Sequence, residues 1–329
     1  MKRISFGFAA VLVACGGTGE TAPQPSSSAP KVTTEAASAA PASASANAPS
    51  SAETSSAPVA SGSAPPATSA SGAPAADPGR LKLSGKVIQG GVLFAKVDGK
   101  VGNIVFPGHR ATVSDDGEFP IAFSRNAPKT EKMVINFKDG TKLEHSFEVE
   151  QRTYETDTIN GLPEDEVRLD PKTKKAHAED EKKVAAVRMK YSPDNCYKDG
   201  FIWPVTGKIT SHYGVNRVLN GTDGGIHWGV DVAVKSGTPV KAPACGTVVF
   251  TDTDIPLSGG TLILDHGHGL TSTFIHLSSF KKKVGDKVKQ GEVLAASGAT
   301  GRTTGPHLDW RMNYFEVRVD PELLAPAMK

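Results

Sequence analysis

Short runs in which apolar and polar residues alternate fill much of the chain from about residue 80 onwards. The clearest example is a hairpin around the turn sequence Asp139-Gly140, with alternating apolar residues on both sides: Met133, Ile135 and Phe137 before it, Phe147 and Val149 after it. A period of two is that of a strand with one buried face, and Asp-Gly is a frequent hairpin turn. The pattern predicts a small antiparallel β domain, a sandwich, over residues 80–155.

A different pattern separates this region from the C-terminal part. Residues 172–190 are rich in Ala and Lys, which favour helix, so the linker at 156–200 is predicted to contain a connecting helix with a solvated charged face. Residues 201–329 return to short β runs between glycines, of which the strongest are 248–250, 261–264, 271–275 and 293–296. The expected fold class is mostly β, with an N-terminal antiparallel β-sandwich, a connecting helix and a C-terminal antiparallel β domain.

The first 79 residues differ from the rest in composition. Lys2 and Arg3 precede an apolar stretch that ends at Ala14 and is too short to span a bilayer, which indicates an export signal. Residues 12–15 (LVAC) resemble the lipobox of bacterial lipoproteins, in which cleavage precedes the cysteine and its thiol is then acylated. We expect residues 1–15 to be a lipoprotein signal, with an ordinary secretory signal as the alternative.

Lipidation of Cys15 would anchor the chain to a membrane, and stable anchoring needs more than one acyl chain. Gly16 is compatible with sorting to the outer membrane, so the expected location is the cell envelope, on the periplasmic face of that membrane. Residues 16–79 are dominated by Ala, Ser and Pro and cannot bury enough apolar surface to fold. They are predicted to be a disordered tether that carries the folded domains away from the membrane.

The net charge and the cysteines limit which ligands and cross-links the chain is expected to have. The formal net charge is +2, which gives no reason to expect nucleic acid as a partner. Cys196 and Cys245 can form a disulfide in an oxidising compartment, although sequence alone does not show that they are close enough. Their wide separation argues against a thiolate metal site, which usually has paired cysteines or Cys/His spacing.

Three motifs in the C-terminal segment carry residues suited to a metal site. His227 and Asp231 are four residues apart, and His307 and Asp309 are two apart, so each pair would share one face of a strand. His276 ends another β-like run. Together the three motifs can supply three ligands and two unligated histidines, as a catalytic zinc site with an open position requires.

With these residues the segment from about 204 to 321 resembles the M23 family of zinc endopeptidases, the lysostaphin or LytM-like fold. The family motifs occur in order, at 207–214 (GKITSHYG), His227 with Asp231, 237–240 (GTPV), 242–246 (APACG), 265–269 (DHGHG), His276-Leu277, 285–288 (GDKV), Gly291 and 300–308 (TGRTTGPHL). The preceding β module resembles the N-terminal domain of a subgroup of exported M23 proteins.

The resemblance implies a role for each matched residue. His227 and Asp231 match the first two zinc ligands, and His276 matches the histidine that helps to stabilise the transition state. His307 matches the first histidine of the family's H-x-H motif and would be the general base. Asp309 stands where the family has its third ligand, a histidine.

Asp309 is therefore the departure from the family pattern. An aspartate oxygen binds zinc at about the distance of a histidine nitrogen, so a His227/Asp231/Asp309 site is expected to hold Zn²⁺. The second negative charge should weaken the Lewis acidity of the ion, so differently tuned catalysis is expected. Asp309→His would restore the usual ligand set and is expected to keep zinc and activity.

Two functions from different classes compete. The preferred one is a zinc-dependent endopeptidase that hydrolyses peptide cross-links between peptidoglycan stem peptides. The alternative is a catalytically weak or inactive M23-like domain that binds the wall or activates a separate amidase, with a binding role for residues 80–155 as a third possibility. Metal content and hydrolysis of purified wall distinguish the enzyme from the binding protein.

Overall fold

The computed structural model describes residues 75–328, apart from the side chains of residues 165 and 166. The predicted signal at 1–15, Cys15 and nearly all of the predicted tether therefore lie outside the described residues. The described chain is mostly antiparallel β-sheet with a connecting helix, which confirms the predicted fold class. Across this part of the chain, no helix combines the length and apolar character needed to cross a membrane.

The N-terminal part is a sandwich of two three-stranded antiparallel sheets. One sheet has the order β1-β2-β4, with strands Leu81–Gly85, Val92–Val97 and Glu118–Ala122. The other has the order β3-β5-β6, with strands Val101–Val105, Thr130–Phe137 and Lys142–Glu148. The predicted hairpin is β5–β6, in which Ile135 pairs with Leu143 and both are buried. Alternate residues of both sheets fill one core, including Leu93, Phe119, Ile121, Met133, Ile135 and Phe147.

Residues 75–79, which were predicted to belong to the tether, are ordered. Ala75 bridges to Lys142, and the Ala76 amide donates to the Lys142 carbonyl. A 3-10 helix, Pro78–Arg80, follows and is capped by Asp77, whose side chain accepts from the Gly79 amide at 2.8 Å. Composition alone placed these residues in the tether because their ordering depends on pairing with a distant strand.

The linker contains two helices and a strand. The helices are α1, Glu164–Val167, and α2, Pro171–Arg188, and the strand is β7, Thr156–Ile159. Asp170 caps α2 through hydrogen bonds from the amides of residues 172 and 173, and Pro171 occupies the first helical position. The expectation that the helix charges are solvated is wrong for Arg188, whose residue is only 8% exposed.

Strand β7 joins the linker to the C-terminal part. It pairs in parallel with β9, Asn216–Leu219, which pairs in turn with β10, Thr222–Ile226. The pairing is a difference from the prediction, because Thr156–Ile159 lies in the segment expected to be a linker with a helix. A disulfide between Cys196 and Cys245, with Cα atoms 5.0 Å apart, confirms the pairing left open by the sequence.

The C-terminal part is built on a ten-stranded antiparallel sheet. Its central order is β16-β13-β14-β15-β18-β11-β8, with strands Lys287–Val288, Gly246–Ile255, Gly259–Gly267, Leu270–Phe280, His307–Tyr314, Val230–Ala233 and Lys208–Ser211. At its margins, β12 pairs with β17, β17 with β15, and β19 with β18; these three strands are Pro239–Lys241, Val293–Ser297 and Val317–Val319. A final 3-10 helix spans Pro321–Leu323.

One face of this sheet packs into the core and the other carries polar side chains. Along β18, Leu308, Trp310 and Met312 belong to the core, and the neighbouring strands contribute Val230, Val232 and Phe274. Because strand side chains alternate between faces, His307, Asp309, Arg311 and Asn313 project from the opposite face. That opposite face holds the candidate site.

Candidate metal centre

Strand register brings the two predicted carboxylate ligands together. Asp231 on β11 lies directly opposite Asp309 on β18, and Ile275 on β15 lies opposite Asp309 on the other side. Like charges directly opposite each other in a sheet repel, so two buried carboxylates at this position need a compensating cation.

His227 enters the site from the loop that precedes β11. Its ring is fully buried, and its Nδ1 lies 3.1 Å from the His212 carbonyl oxygen and 3.1 Å from Ser211 Oγ. A carbonyl can only accept, so it favours the tautomer with the proton on Nδ1. The unprotonated Nε2 then faces Asp231 Oδ1 at 3.1 Å and Asp309 Oδ2 at 3.4 Å.

These three residues form a group whose ligand atoms lie within 4.8 Å of one another. Asp231 Oδ1 is buried and accepts no hydrogen bond. Three acceptors that face one another repel unless a proton or a cation lies between them, so the donor set fits a divalent ion such as zinc. Burial lowers the pKa of His227, but the adjacent carboxylates of Asp231 and Asp309 outweigh it and raise the pKa above its ordinary value.

Two arginines also contact the carboxylates. Arg217 Nη2 donates to Asp231 Oδ2 at 3.0 Å, so its side chain lies at the site. Arg311 donates to both oxygens of Asp309, from Nε at 3.0 Å to each and from Nη2 at 2.6 Å to Oδ2. Burial alone would raise the pKa of Asp309, but Arg311 and His227 together hold it well below its usual range.

Sequence reasoning missed Arg311, although a signal was available. It lies two residues after Asp309 on a predicted strand and therefore shares its face. The local backbone is adapted to the pair, because a Cβ on Gly229 would overlap Asp309 Oδ1 and the Arg311 side chain. Asp309, the residue that departs from the family pattern, is thus hydrogen-bonded to the guanidinium of Arg311.

His276 and His307 lie side by side at the edge of this group, with ring centroids 4.7 Å apart. His307 Nδ1 lies 2.9 Å from the Gly305 carbonyl, and His307 Nε2 lies 3.7 Å from Asp231 Oδ1. His276 Nδ1 lies 2.8 Å from the Thr300 carbonyl. Both Nδ1 atoms face carbonyls, so both Nε2 atoms are free to exchange protons with a bound molecule.

The backbone of His276 is unusual and holds its ring in place. Its φ is +62°, a left-handed conformation rare for a residue with a side chain. Its amide donates to the Ser258 carbonyl at 2.9 Å, which holds this conformation. Burial lowers the pKa of the His276 imidazole, and the nearby Asp309 only partly offsets that effect. The structure thus brings together all five residues predicted from sequence.

The remaining histidines of this part make structural contacts. His266 is fully buried between the Cys245 carbonyl at 2.7 Å and Ser272 Oγ at 2.8 Å. His268 Nδ1 lies 3.2 Å from the Thr112 carbonyl of the sandwich, and His212 contacts Glu322 at 2.8 Å. Trp310 lies in the core, which agrees with a packing role.

Comparison with known families now identifies the class. Residues 225–321 match the model of Peptidase family M23, and this segment contains all five site residues. The chain therefore carries an M23 peptidase domain, homologous to the LytM and lysostaphin-like enzymes.

Individual relatives agree with this class. The chain is 33% identical over 135 residues to the cell division protein DipM of Caulobacter vibrioides, which covers 39% of this chain and 21% of DipM. It is 40% identical over 86 residues to the peptidoglycan DD-endopeptidase ShyA of Vibrio cholerae, 26% of this chain and 20% of ShyA. The chain thus spans about a fifth of the length of these relatives.

A solved structure extends the similarity beyond the matched segment. A crystal structure from Pseudomonas aeruginosa assigned to peptidase M23 superposes with a TM-score of 0.57 and 28% identity. The match covers 72% of this chain and 94% of that chain, which is more than residues 225–321 alone.

Proposed function

We propose that the protein is a zinc-dependent endopeptidase that hydrolyses peptide cross-links of peptidoglycan. The observation that carries this proposal is the convergence of His227, Asp231 and Asp309 beside two histidines whose Nε2 atoms are free. Three protein ligands with general-base histidines next to them are the arrangement of a hydrolytic zinc site.

His227 Nε2 and one oxygen each of Asp231 and Asp309 would hold the ion. Zinc bound there would supply a Lewis acid that polarises the scissile carbonyl and acidifies the attacking water. His227 is suited to this role because the His212 carbonyl keeps the proton on Nδ1 and leaves Nε2 for the metal.

His307 would act as the general base, accepting the proton of the attacking water at Nε2. The Gly305 carbonyl fixes its ring orientation through Nδ1. His276 would donate from Nε2 to the oxyanion when that atom carries a proton. Its ring lies beside that of His307, so both rings can contact one bound peptide.

The substrate class rests on the relatives. ShyA is named a peptidoglycan DD-endopeptidase, and the Neisseria meningitidis relative is named a DD-carboxypeptidase/endopeptidase. A stem peptide of peptidoglycan is therefore the proposed partner. Export and acylation at Cys15 would place the enzyme at a membrane of the cell envelope, within reach of that substrate.

Digestion of purified cross-linked muropeptides by the full chain tests the proposal, with zinc content measured on the same sample. We expect about one zinc per chain and cleavage that a chelator abolishes and added zinc restores. His307→Ala is the matched control and should retain the metal without cleaving. Wall binding without zinc and without cleavage would favour the activator function instead.

A further inference from the structure

Next to the metal centre, helix α2 and the polar face of the sheet enclose a cavity of about 260 Å³. Arg188 reaches it from α2, and Thr273 and Arg311 line it from β15 and β18. Arg311 also bonds Asp309, so a single side chain separates the cavity from the candidate metal ligands. The cavity therefore continues the same sheet face that carries the site.

Three guanidinium groups meet in this cavity, from Arg188, Arg311 and Arg318. Arg311 is neutralised by Asp309. Within residues 75–328, no carboxylate whose side chain is described forms an ion pair with Arg188 or Arg318. The guanidinium of Arg318 lies over the Trp228 ring, with Cζ 5.7 Å from its centroid.

Arg188 carries the strongest sign of a missing ligand. The residue is 8% exposed, and its Nη2 donates to Thr273 Oγ1 at 3.0 Å, while its Nε is buried and has no hydrogen-bond partner. A buried cation with an unused donor is costly, and native proteins rarely keep one without a counter-charge.

The lowered pKa values of Arg188 and Arg318 also indicate that these two cations lack a counter-charge. Burial, with repulsion from Arg318 and Arg311, lowers the pKa of Arg188 to about 9. Burial and repulsion from Arg311 lower the pKa of Arg318 to about 10. Both groups are still charged at neutral pH. Asp180, Glu181 and Glu316 also line the cavity, but none of the three forms an ion pair with Arg188 or Arg318. Both guanidinium groups therefore face a cavity large enough for a small anion without a bonded carboxylate.

We propose that this cavity is a subsite for a carboxylate of the peptide bound at the metal centre. Arginine offers planar pairs of N–H donors that match the two oxygens of a carboxylate, and Arg188 has such a donor unused. The inference rests on the proposed function, since it takes the ligand to be an acidic stem peptide. It adds a specificity determinant on α2, outside the matched residues 225–321.

Binding of a synthetic stem peptide to the full chain, freed of metal, tests the subsite. The peptide with free carboxylates is compared by calorimetry with the same peptide fully amidated. We expect amidation to weaken binding about 10- to 100-fold, the range for losing a charge-assisted hydrogen bond. Acetate should compete with the free peptide if the site accepts any carboxylate, and equal affinity for both peptides would overturn the proposal.

Arg188→Met identifies the residue responsible, because methionine replaces the buried stem without the charge. It should remove the preference for free carboxylates and raise the urea midpoint of the ligand-free protein, since an uncompensated buried cation destabilises the fold. Arg168→Met, which replaces an exposed arginine at the end of α1, is the matched control and should change neither quantity. A lower urea midpoint together with an unchanged preference would mean that Arg188 is structural and would overturn the proposal.

The two proposals fail in different ways. If the wild type cleaves muropeptides but does not distinguish free from amidated peptide, the subsite is refuted and the peptidase stands. If it cleaves nothing yet binds the free peptide more tightly in an Arg188-dependent way, the peptidase is refuted and the subsite stands.

Discussion

Replacing Asp309 with histidine tests how the departure from the family pattern is stabilised. From sequence alone, Asp309→His restores the usual ligands and should keep zinc. The structure changes that expectation, because Asp309 is also the partner of Arg311, through contacts of 2.6 and 3.0 Å. The single substitution would leave Arg311 without its carboxylate, whereas Asp309→His combined with Arg311→Met would remove both charges.

The magnitude follows from burial and from Coulomb's law. Removing one partner of a buried ion pair costs about 3–5 kcal/mol, and the Arg311 side chain is 22% exposed, so we expect about 3 kcal/mol for the single variant. A zinc ion held at this site would be repelled by an unpaired guanidinium, by about 1.7 kcal/mol for an assumed separation on the order of 5 Å at the dielectric constant of water. The double variant should therefore bind zinc at least about tenfold more tightly than the single one.

Two assays on four proteins measure these effects: wild type, each single variant and the double variant. Urea unfolding of metal-free protein gives the coupling between the two positions, which we expect to be about 3 kcal/mol. Competition with a chromogenic chelator gives the zinc affinity. Additive effects on unfolding, together with equal zinc affinity of Asp309→His with and without Arg311, would refute the reasoning.

Four further predictions concern other residues. His307→Ala should keep one zinc per chain by metal analysis yet abolish turnover; loss of the metal would make His307 a ligand. Burial lowers the pKa of His266 to about 4, so the unfolded state binds the extra proton between about pH 6.5 and 4. Stability should be complete above about pH 6.5 and fall on the order of 3 kcal/mol across that window, a slope that His266→Asn should lack in urea unfolding. Thiol counting on unfolded, non-reduced protein should find Cys196 and Cys245 unreactive, and two reactive thiols would exclude the bridge. Mass spectrometry should find the mature chain beginning at an acylated Cys15, and an unmodified thiol there would exclude lipidation.

Local patterns predicted the parts of the fold that depend on near neighbours. Alternation around Asp139-Gly140 predicted the β5–β6 hairpin, and helix propensity predicted α2 to within two residues at each end. The three metal-ligand candidates were also predicted. The spacing of His307 and Asp309 does place both on one face of β18, but the expectation that His227 and Asp231 share a strand is wrong, because His227 lies in the loop between β10 and β11. The convergence of the three candidates through the register of β11 and β18 was implied by the family resemblance and was not contained in any one motif.

The features that sequence reasoning missed depend on distant partners. Strand β7 gains its pairing from β9, about 60 residues later, and nothing in Thr156–Ile159 alone marks a strand of that sheet. Arg188 ends a helix of polar composition, so its burial depends on the sheet beneath it. Arg311 is the exception, since alternation along β18 was enough to place it beside Asp309.

Strand β7 has a consequence for where this protein can be divided. A fragment cut at residue 201 would lose the parallel partner of β9 and would leave Cys245 without its disulfide partner. It would also lose Arg152, whose guanidinium bonds Asp320 at 2.7 Å in the last turn before the C-terminal 3-10 helix. The M23 domain thus depends on residues upstream of it, and a transplant that preserves its architecture would have to include residues from at least 152 onwards.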